Sequence, residues 1–214
     1  FIQDGTWIEP GQVILEVSGS SQAILKAERL VLNCMQRMSG IATYTRSLVN
    51  LLEGTRAKLL DTRKTTPNFR LAEKWACKIG GAVNHRYGLF DMILIKDNHV
   101  DFAGGIKQAL DKAFSYAKTL TKPIEVMIEV RNETELDEVL AIGGVKRIML
   151  DNFTPDRLRD AIRKINGRFI TEASGGITEK TLRAYGETGV DYISVGALTH
   201  QVKSLDLSLK AKWI

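Results

Sequence analysis

The sequence predicts an α/β fold, an incomplete, about seven-stranded parallel barrel of TIM-like type. Six short β-rich runs alternate with helical patterns, as the strands of a parallel sheet do. Nearly every run ends in polar, charged or glycine residues. A barrel brings all its C-terminal strand ends to one mouth, whereas an open sheet uses only those beside its switch point. The stretch from Leu30 to Ile214 is short against the ~250 residues usual for eight strand–helix units, so a smaller or incomplete barrel is expected.

The elements follow in order. Residues 7–17 alternate apolar and polar side chains around Pro10-Gly11, the pattern of a β-hairpin. A segment of about 28 residues cannot bury a core. With Phe1 rather than Met at its start, residues 1–28 are expected to be the remnant of an N-terminal domain, and residues 29–214 the barrel. Carrier domains that hold lipoyl or biotinyl groups use such hairpins but need a lysine at a turn, and Gly19-Ser20-Ser21 offers none. From Leu25 to Glu53, Leu25, Leu32, Met35, Met38, Ile41 and Leu48 recur at helical spacing, with Ser39-Gly40 as an expected break between two helices. The strand candidates are 57–61, 92–96, 124–130, 147–151, 169–172 and 192–195. Asn132 with Glu135 has the spacing of a capping box, and Gly143-Gly144 stops that helix. Thr154-Pro155-Asp156 starts another, whose apolar face is Leu158, Ala161, Ile162 and Ile165.

Composition excludes several classes of protein. With 44% hydrophobic and 26% charged residues the chain is globular, one domain or one and a fragment. No run of about 18 apolar residues is present, and no signal-like opening, so a cytoplasmic protein without membrane attachment is expected. Cys34 and Cys77 sit in helix-like contexts beside apolar residues, as buried free thiols do, and make no disulfide framework. The net charge of +5 permits a nucleic-acid partner. Aromatic residues are not interleaved with the cations as a base-stacking surface requires, so none is expected.

The cations gather instead at strand ends. Asp61-Thr62-Arg63-Lys64-Thr65-Thr66 closes the first strand, Asn84-His85-Arg86 adds a second cationic cluster, and Lys96 ends the apolar run Ile93-Leu94-Ile95. An ammonium there is costly unless something negative meets it, either a ligand or an acid of the protein. Glu129 and Asp151 are the acids at strand ends. The glycine-containing turns Ser174-Gly175-Gly176 and Gly196-Ala197 follow the last two strands, and each precedes a helical pattern. That is the usual barrel phosphate site, where backbone N–H groups and a helix N-terminus meet an anion. A phosphorylated sugar bearing pyrophosphate, with Mg²⁺ held by the acids, fits this set.

These blocks, with Ala27-Glu28-Arg29, Ser39-Gly40-Ile41-Ala42, Leu94-Ile95-Lys96-Asp97-Asn98-His99, Met149-Leu150-Asp151-Asn152, Glu172-Ala173-Ser174-Gly175-Gly176 and Ser194-Val195-Gly196-Ala197-Leu198-Thr199-His200, closely resemble the quinolinate phosphoribosyltransferase family over residues 7–209. The resemblance implies an N-terminal α/β sandwich domain followed by an incomplete barrel. It also implies a homodimer, or a multiple of dimers, with sites at the subunit interface. The implied reaction joins quinolinate and 5-phosphoribosyl 1-pyrophosphate, with Mg²⁺, to give nicotinate mononucleotide, pyrophosphate and CO₂. On this resemblance Arg29, Arg63, Arg86 and His85 bind the dicarboxylate, and Arg29 reaches a neighbouring subunit's site. Lys64 and Lys96 meet phosphate and pyrophosphate oxygens. Glu129 and Asp151 hold the ribose hydroxyls and Mg²⁺, so that Lys64, Lys96, Glu129 and Asp151 form the implied catalytic set. Ser174, Gly175, Gly176, Gly196 and Ala197 cradle the 5-phosphate, and Thr62 and His200 complete the substrate contacts. Many relatives carry an acid where this chain has Met127. The competing readings are a phosphoribosyltransferase-like paralogue of other specificity, such as a nicotinate-using enzyme, and a non-catalytic binding or assembly subunit.

Overall fold

A computed structural model describes residues 2–212; Phe1, Trp213 and Ile214, the extremes of the two expected domains, lie outside the described residues. The elements run α1 (Ser21–Leu51), β1 (Lys58–Leu60), α2 (Arg70–Ile79), β2 (Ile93–Ile95), α3 (Asp97–Ala103), α4 (Ile106–Thr119) and β3 (Val126–Val130). They continue α5 (Glu133–Ile142), β4 (Arg147–Asp151), α6 (Pro155–Ile165), β5 (Ile170–Ser174), α7 (Glu179–Gly186), β6 (Tyr192–Ser194) and α8 (Ala197–His200). Each of the six expected runs coincides with one strand, β5 extending two residues beyond its run to Ser174. They form a single parallel sheet in the order β1-β6-β5-β4-β3-β2, and beyond β1 an isolated parallel bridge joins Leu60 to Val83.

Parallel strands covered on both faces are apolar throughout, and all five residues of β3 are buried. Successive side chains still point to opposite faces. Val126, Ile128 and Val130 join Ile148, Leu150, Ala173 and Ile193 in the core beneath the helices, whereas Met127 packs on the other face with Leu94 and Met149. Glu129 shares that second face with Met127, and Asp151 shares it with Met149, so the strand-end acids sit above an apolar floor.

Local signals place the helices. Asn132 accepts a hydrogen bond from the Glu135 amide and Thr154 from the Arg157 amide, with Pro155 in the first turn of α6. The reciprocal half of the expected capping box is displaced by one residue, because the Glu135 carboxylate accepts from the Arg131 amide at 2.7 Å. Cys77 is buried, which pushes its thiol up to about 12, and Asp61 nearby adds to the effect; Cys34 is half-buried, and both thiols are free. Among the described residues no helix is long and apolar enough to cross a membrane.

Two expectations are corrected. Residues 2–20 contain no strand: Trp7, Val13 and Val17 are exposed, and the hairpin expected over 7–17 reduces to a turn in which the Gln12 amide donates to the Glu9 carbonyl. An alternating segment without a second sheet or helix to cover its apolar face gains too little to pair. Nor does Ser39-Gly40 break the first helix, since α1 is continuous over 31 residues and passes positions 28 and 29 without interruption. Gly40 serves close packing instead: a Cβ there would collide with the Lys203 carbonyl oxygen. The C-terminal segment lies against α1 at this point, with the Leu205 amide donating to the Gln36 carbonyl at 3.1 Å.

Candidate active site

The end of β1 is built on a buried charge. Asp61 has no exposed surface and accepts hydrogen bonds from Lys74 Nζ on α2, from Asn84 Nδ2 at 2.6 Å and from the His85 amide at 2.7 Å. Lys74 Nζ also donates to the His85 carbonyl at 3.0 Å. This network draws the 84–86 loop against the first strand. A second buried acid of α2, Glu73, accepts from the Thr66 amide and from Arg37 of α1, both at 3.0 Å, and so fixes the far end of the loop after β1.

Arg63 and Lys64 are carried between those anchors. The Arg63 Nε is buried without a partner among the described residues. Arg86 lies near enough to be repelled by it: burial, and then the Arg63 charge, lower the Arg86 guanidinium from its ordinary range. Arg86 is held by a 3.0 Å hydrogen bond from Nη1 to the Met92 carbonyl. Two guanidiniums that repel each other, one with a spare buried donor, are an arrangement a dianion would satisfy.

The inner-face acids face the lysines. Lys96 Nζ, at the end of β2, is 3.1 Å from Glu129 Oε2. Burial raises the Glu129 carboxyl above its usual range against the opposing pull of Lys96. Asp151 is also raised, by burial first, while Lys96, a bond from Asn152 and Lys64 pull the other way. Lys64, Lys96, Glu129 and Asp151 thus feel one another although they come from four different strand ends.

The last two strands close the ring of groups. Gly175 has φ +94° and Gly176 φ +59°, backbone that turns immediately after Ser174. Asn152 links this turn to β4, its amide donating to the Ser174 carbonyl at 2.8 Å and its Nδ2 to Asp151 Oδ2 at 2.6 Å. A Cβ on Gly196 would lie 3.0 Å from His200 Nε2 and 3.1 Å from Lys64 Cδ, so the loop before Ala197 and the loop after β1 are in direct contact. Thr199 Oγ1 seals that contact by donating to the Lys64 carbonyl at 2.8 Å.

Three expected residues sit differently. Arg29 is on the exposed N-terminal half of α1, 3.6 Å from Glu28. The Thr62 hydroxyl accepts from the Lys64 amide at 3.1 Å and so shapes the loop. The His85 ring is 7% exposed: Nδ1 accepts from the Arg86 amide at 2.7 Å, and Nε2 is 3.5 Å from Glu172. Sequence reasoning assigned no role to Lys74, Glu73, Asn152, Arg147 or Glu172. For Arg147 and Glu172 a signal existed, since each lies an even number of residues before a strand-end site residue on the same strand face.

Known proteins resemble the chain at every level. The model of the quinolinate phosphoribosyl transferase C-terminal domain matches residues 41–210, and the model of the N-terminal domain matches residues 1–39. A tobacco protein, quinolinate phosphoribosyltransferase [decarboxylating] 1b of Nicotiana tabacum, is 46% identical over 98% of this chain, which spans 63% of that relative's length. The probable nicotinate-nucleotide pyrophosphorylase [carboxylating] of Bacillus subtilis is 46% identical over 97% of the chain and 70% of its own. The crystal structure of NadC from Streptococcus pyogenes superposes with a TM-score of 0.90 at 41% identity, covering 98% of this chain and 73% of that one.

Proposed function

Because the chain belongs to the quinolinate phosphoribosyltransferase family, we propose that it moves the phosphoribosyl group of 5-phosphoribosyl 1-pyrophosphate onto quinolinate. Decarboxylation follows, giving nicotinate mononucleotide, pyrophosphate and CO₂. The observation that carries this reading is the Arg63–Arg86 pair: the Arg63 Nε is buried without a partner among the described residues, and burial and then the Arg63 charge lower the Arg86 guanidinium. A planar dicarboxylate answers both guanidiniums at once; a monocarboxylate leaves one uncompensated.

The remaining residues divide the chemistry. Lys64 and Lys96 take the pyrophosphate oxygens and neutralise the leaving group. The turn at 174–176 and the start of α8 hold the 5-phosphate, with His200 beside Gly196 and Ala197. Glu129 and Asp151 hold the ribose hydroxyls and stabilise positive charge as the anomeric carbon becomes oxocarbenium-like. Because burial raises both acids, ionisation is favoured most when a cation or a cationic transition state is present.

The same two carboxylates fit Mg²⁺. Among the described residues there is no cluster of three or more ligating side chains, and Mg²⁺ suits such a site because it takes one or two carboxylates and completes its shell with water and substrate phosphate. When bound it would offset pyrophosphate charge. Ribosylation places a positive charge on the pyridine nitrogen, which stabilises the carbanion left as CO₂ departs, so the protein's remaining task is to orient and desolvate the ring.

The proposal extends to architecture. The Leu60–Val83 bridge supplies a seventh strand position beyond β1, in keeping with an incomplete barrel. Arg29, on the outside of α1, suits delivery to a second subunit's site in a homodimer. The test is reciprocal. Arg86→Ala should weaken quinolinate binding by about tenfold or more while leaving phosphoribosyl pyrophosphate binding within about twofold, and Lys96→Ala should do the opposite. Equal losses for both ligands in titration calorimetry would refute the assignment.

A further inference from the structure

The interior of the sheet holds three polar groups that the reaction does not use directly. Glu172, on the inner face of β5, has no exposed surface. Its Oε2 accepts from Arg147 Nη1 of β4 at 2.9 Å and lies 3.5 Å from His85 Nε2. Arg147 lies over the Tyr192 ring, 4.5 Å from its centroid. Burial works to raise the Glu172 carboxyl, but His85 and Arg147 together hold it below its usual range, so it is a carboxylate. Glu172 Oε1, Arg147 Nε and His85 Nε2 are buried without hydrogen-bond partners among the described residues, so Glu172 meets the His85 ring as a neighbouring charge at 3.5 Å. An incompletely satisfied buried ion pair is a poor stabiliser: hydrophobic replacements of similar volume are often neutral or better. A pair that does little for stability but touches the His85 ring points to work at the site.

Resting on the functional reading above, we infer that Glu172, held by Arg147, is a positioning residue for the dicarboxylate pocket. It fixes the His85 ring in the tautomer protonated at Nε2, and the ring in turn holds Arg86. The geometry leaves one tautomer. Nδ1 accepts the Arg86 amide at 2.7 Å and must present a lone pair, so the ring proton is on Nε2, facing Glu172. His85 therefore supports the Arg86 backbone through Nδ1. Residue 86 is then fixed at its amide by His85 and at its guanidinium by the Met92 carbonyl.

The chain contains three histidines, so long-range ¹H–¹⁵N correlation spectra resolve each ring. In the full wild-type chain without substrate, His85 should appear as the Nε2-protonated tautomer. The double variant Glu172→Leu/Arg147→Met removes both charges and keeps the volume filled. In it His85 should show both tautomers, and quinolinate affinity should fall about tenfold with phosphoribosyl pyrophosphate affinity within about twofold. A wild-type His85 protonated on Nδ1 would overturn the inference, as would a double variant that binds quinolinate as tightly as wild type or loses both ligands equally. The wild-type spectrum needs no variant to fold and no substrate to bind. A wild-type chain that does not bind quinolinate would sink the functional reading, while the spectrum still decides the tautomer.

Discussion

Lys74→Met is expected to lower the stability of the fold by about 3 kcal/mol or more, the usual result when one member of a buried ion pair is removed and the other remains charged. Lys74 and Asp61 are 4% and 0% exposed at their side chains, so water cannot replace the lost ammonium. Asn84 Nδ2 and the His85 amide would still donate to Asp61, but neither carries charge. The loss should reach the site as well, because Lys74 Nζ bonds the His85 carbonyl and helps to hold the loop that carries Arg86. Urea denaturation of the two proteins measures the effect. A difference below about 1 kcal/mol would show that Asp61 is satisfied without the lysine.

Gly175→Ala is expected to reduce phosphoribosyl pyrophosphate affinity by about two orders of magnitude, through displacement of the turn after β5. At φ +94° an L side chain is strained, and the added Cβ would strike Asn152 Oδ1 and approach the Asn152 amide nitrogen to 2.8 Å. That amide ties the turn to β4, so moving the Asn152 side chain alone does not relieve the collision. Gly176→Ala is the control. A Cβ at Gly176 meets nothing within 4 Å, and its φ of +59° lies where a few non-glycine residues are tolerated, so its effect should be much smaller. Similar affinities for the two variants, measured by calorimetry, would show that the turn is not a rigid phosphate cradle.

Much of the scaffold was legible because it follows from local pattern. The six apolar runs became the six strands, and two of the charged residues just after them, Lys64 and Lys96, converge with Glu129 and Asp151 as parallel strand ends do. Long-range burial was not legible. Helix α2 is inverted relative to a simple amphipathic reading, with Leu71 and Trp75 exposed while Glu73 and Lys74 are buried against partners distant in sequence. Nothing near residue 74 announces that its ammonium meets Asp61. Ser39-Gly40 reads as a helix break by intrinsic preference, yet α1 continues because the glycine admits the C-terminal segment. The alternation at 7–17 states a readiness to pair but not the presence of a partner. His85 Nε2 lies 3.5 Å from a carboxylate 87 positions away in sequence, a neighbour no local motif encodes.

On the proposed function, one mouth binds a pyridine dicarboxylate and a phosphoribosyl donor and joins them with loss of CO₂. The most direct test supplies Mg²⁺, 5-phosphoribosyl 1-pyrophosphate and quinolinate labelled at the 2-carboxylate, and follows labelled CO₂ together with nicotinate mononucleotide. The expected result is release of the two products in equal amounts, with nicotinate unable to replace quinolinate. Nicotinate consumed in preference to quinolinate, or nucleotide formed with the label retained, would contradict the account.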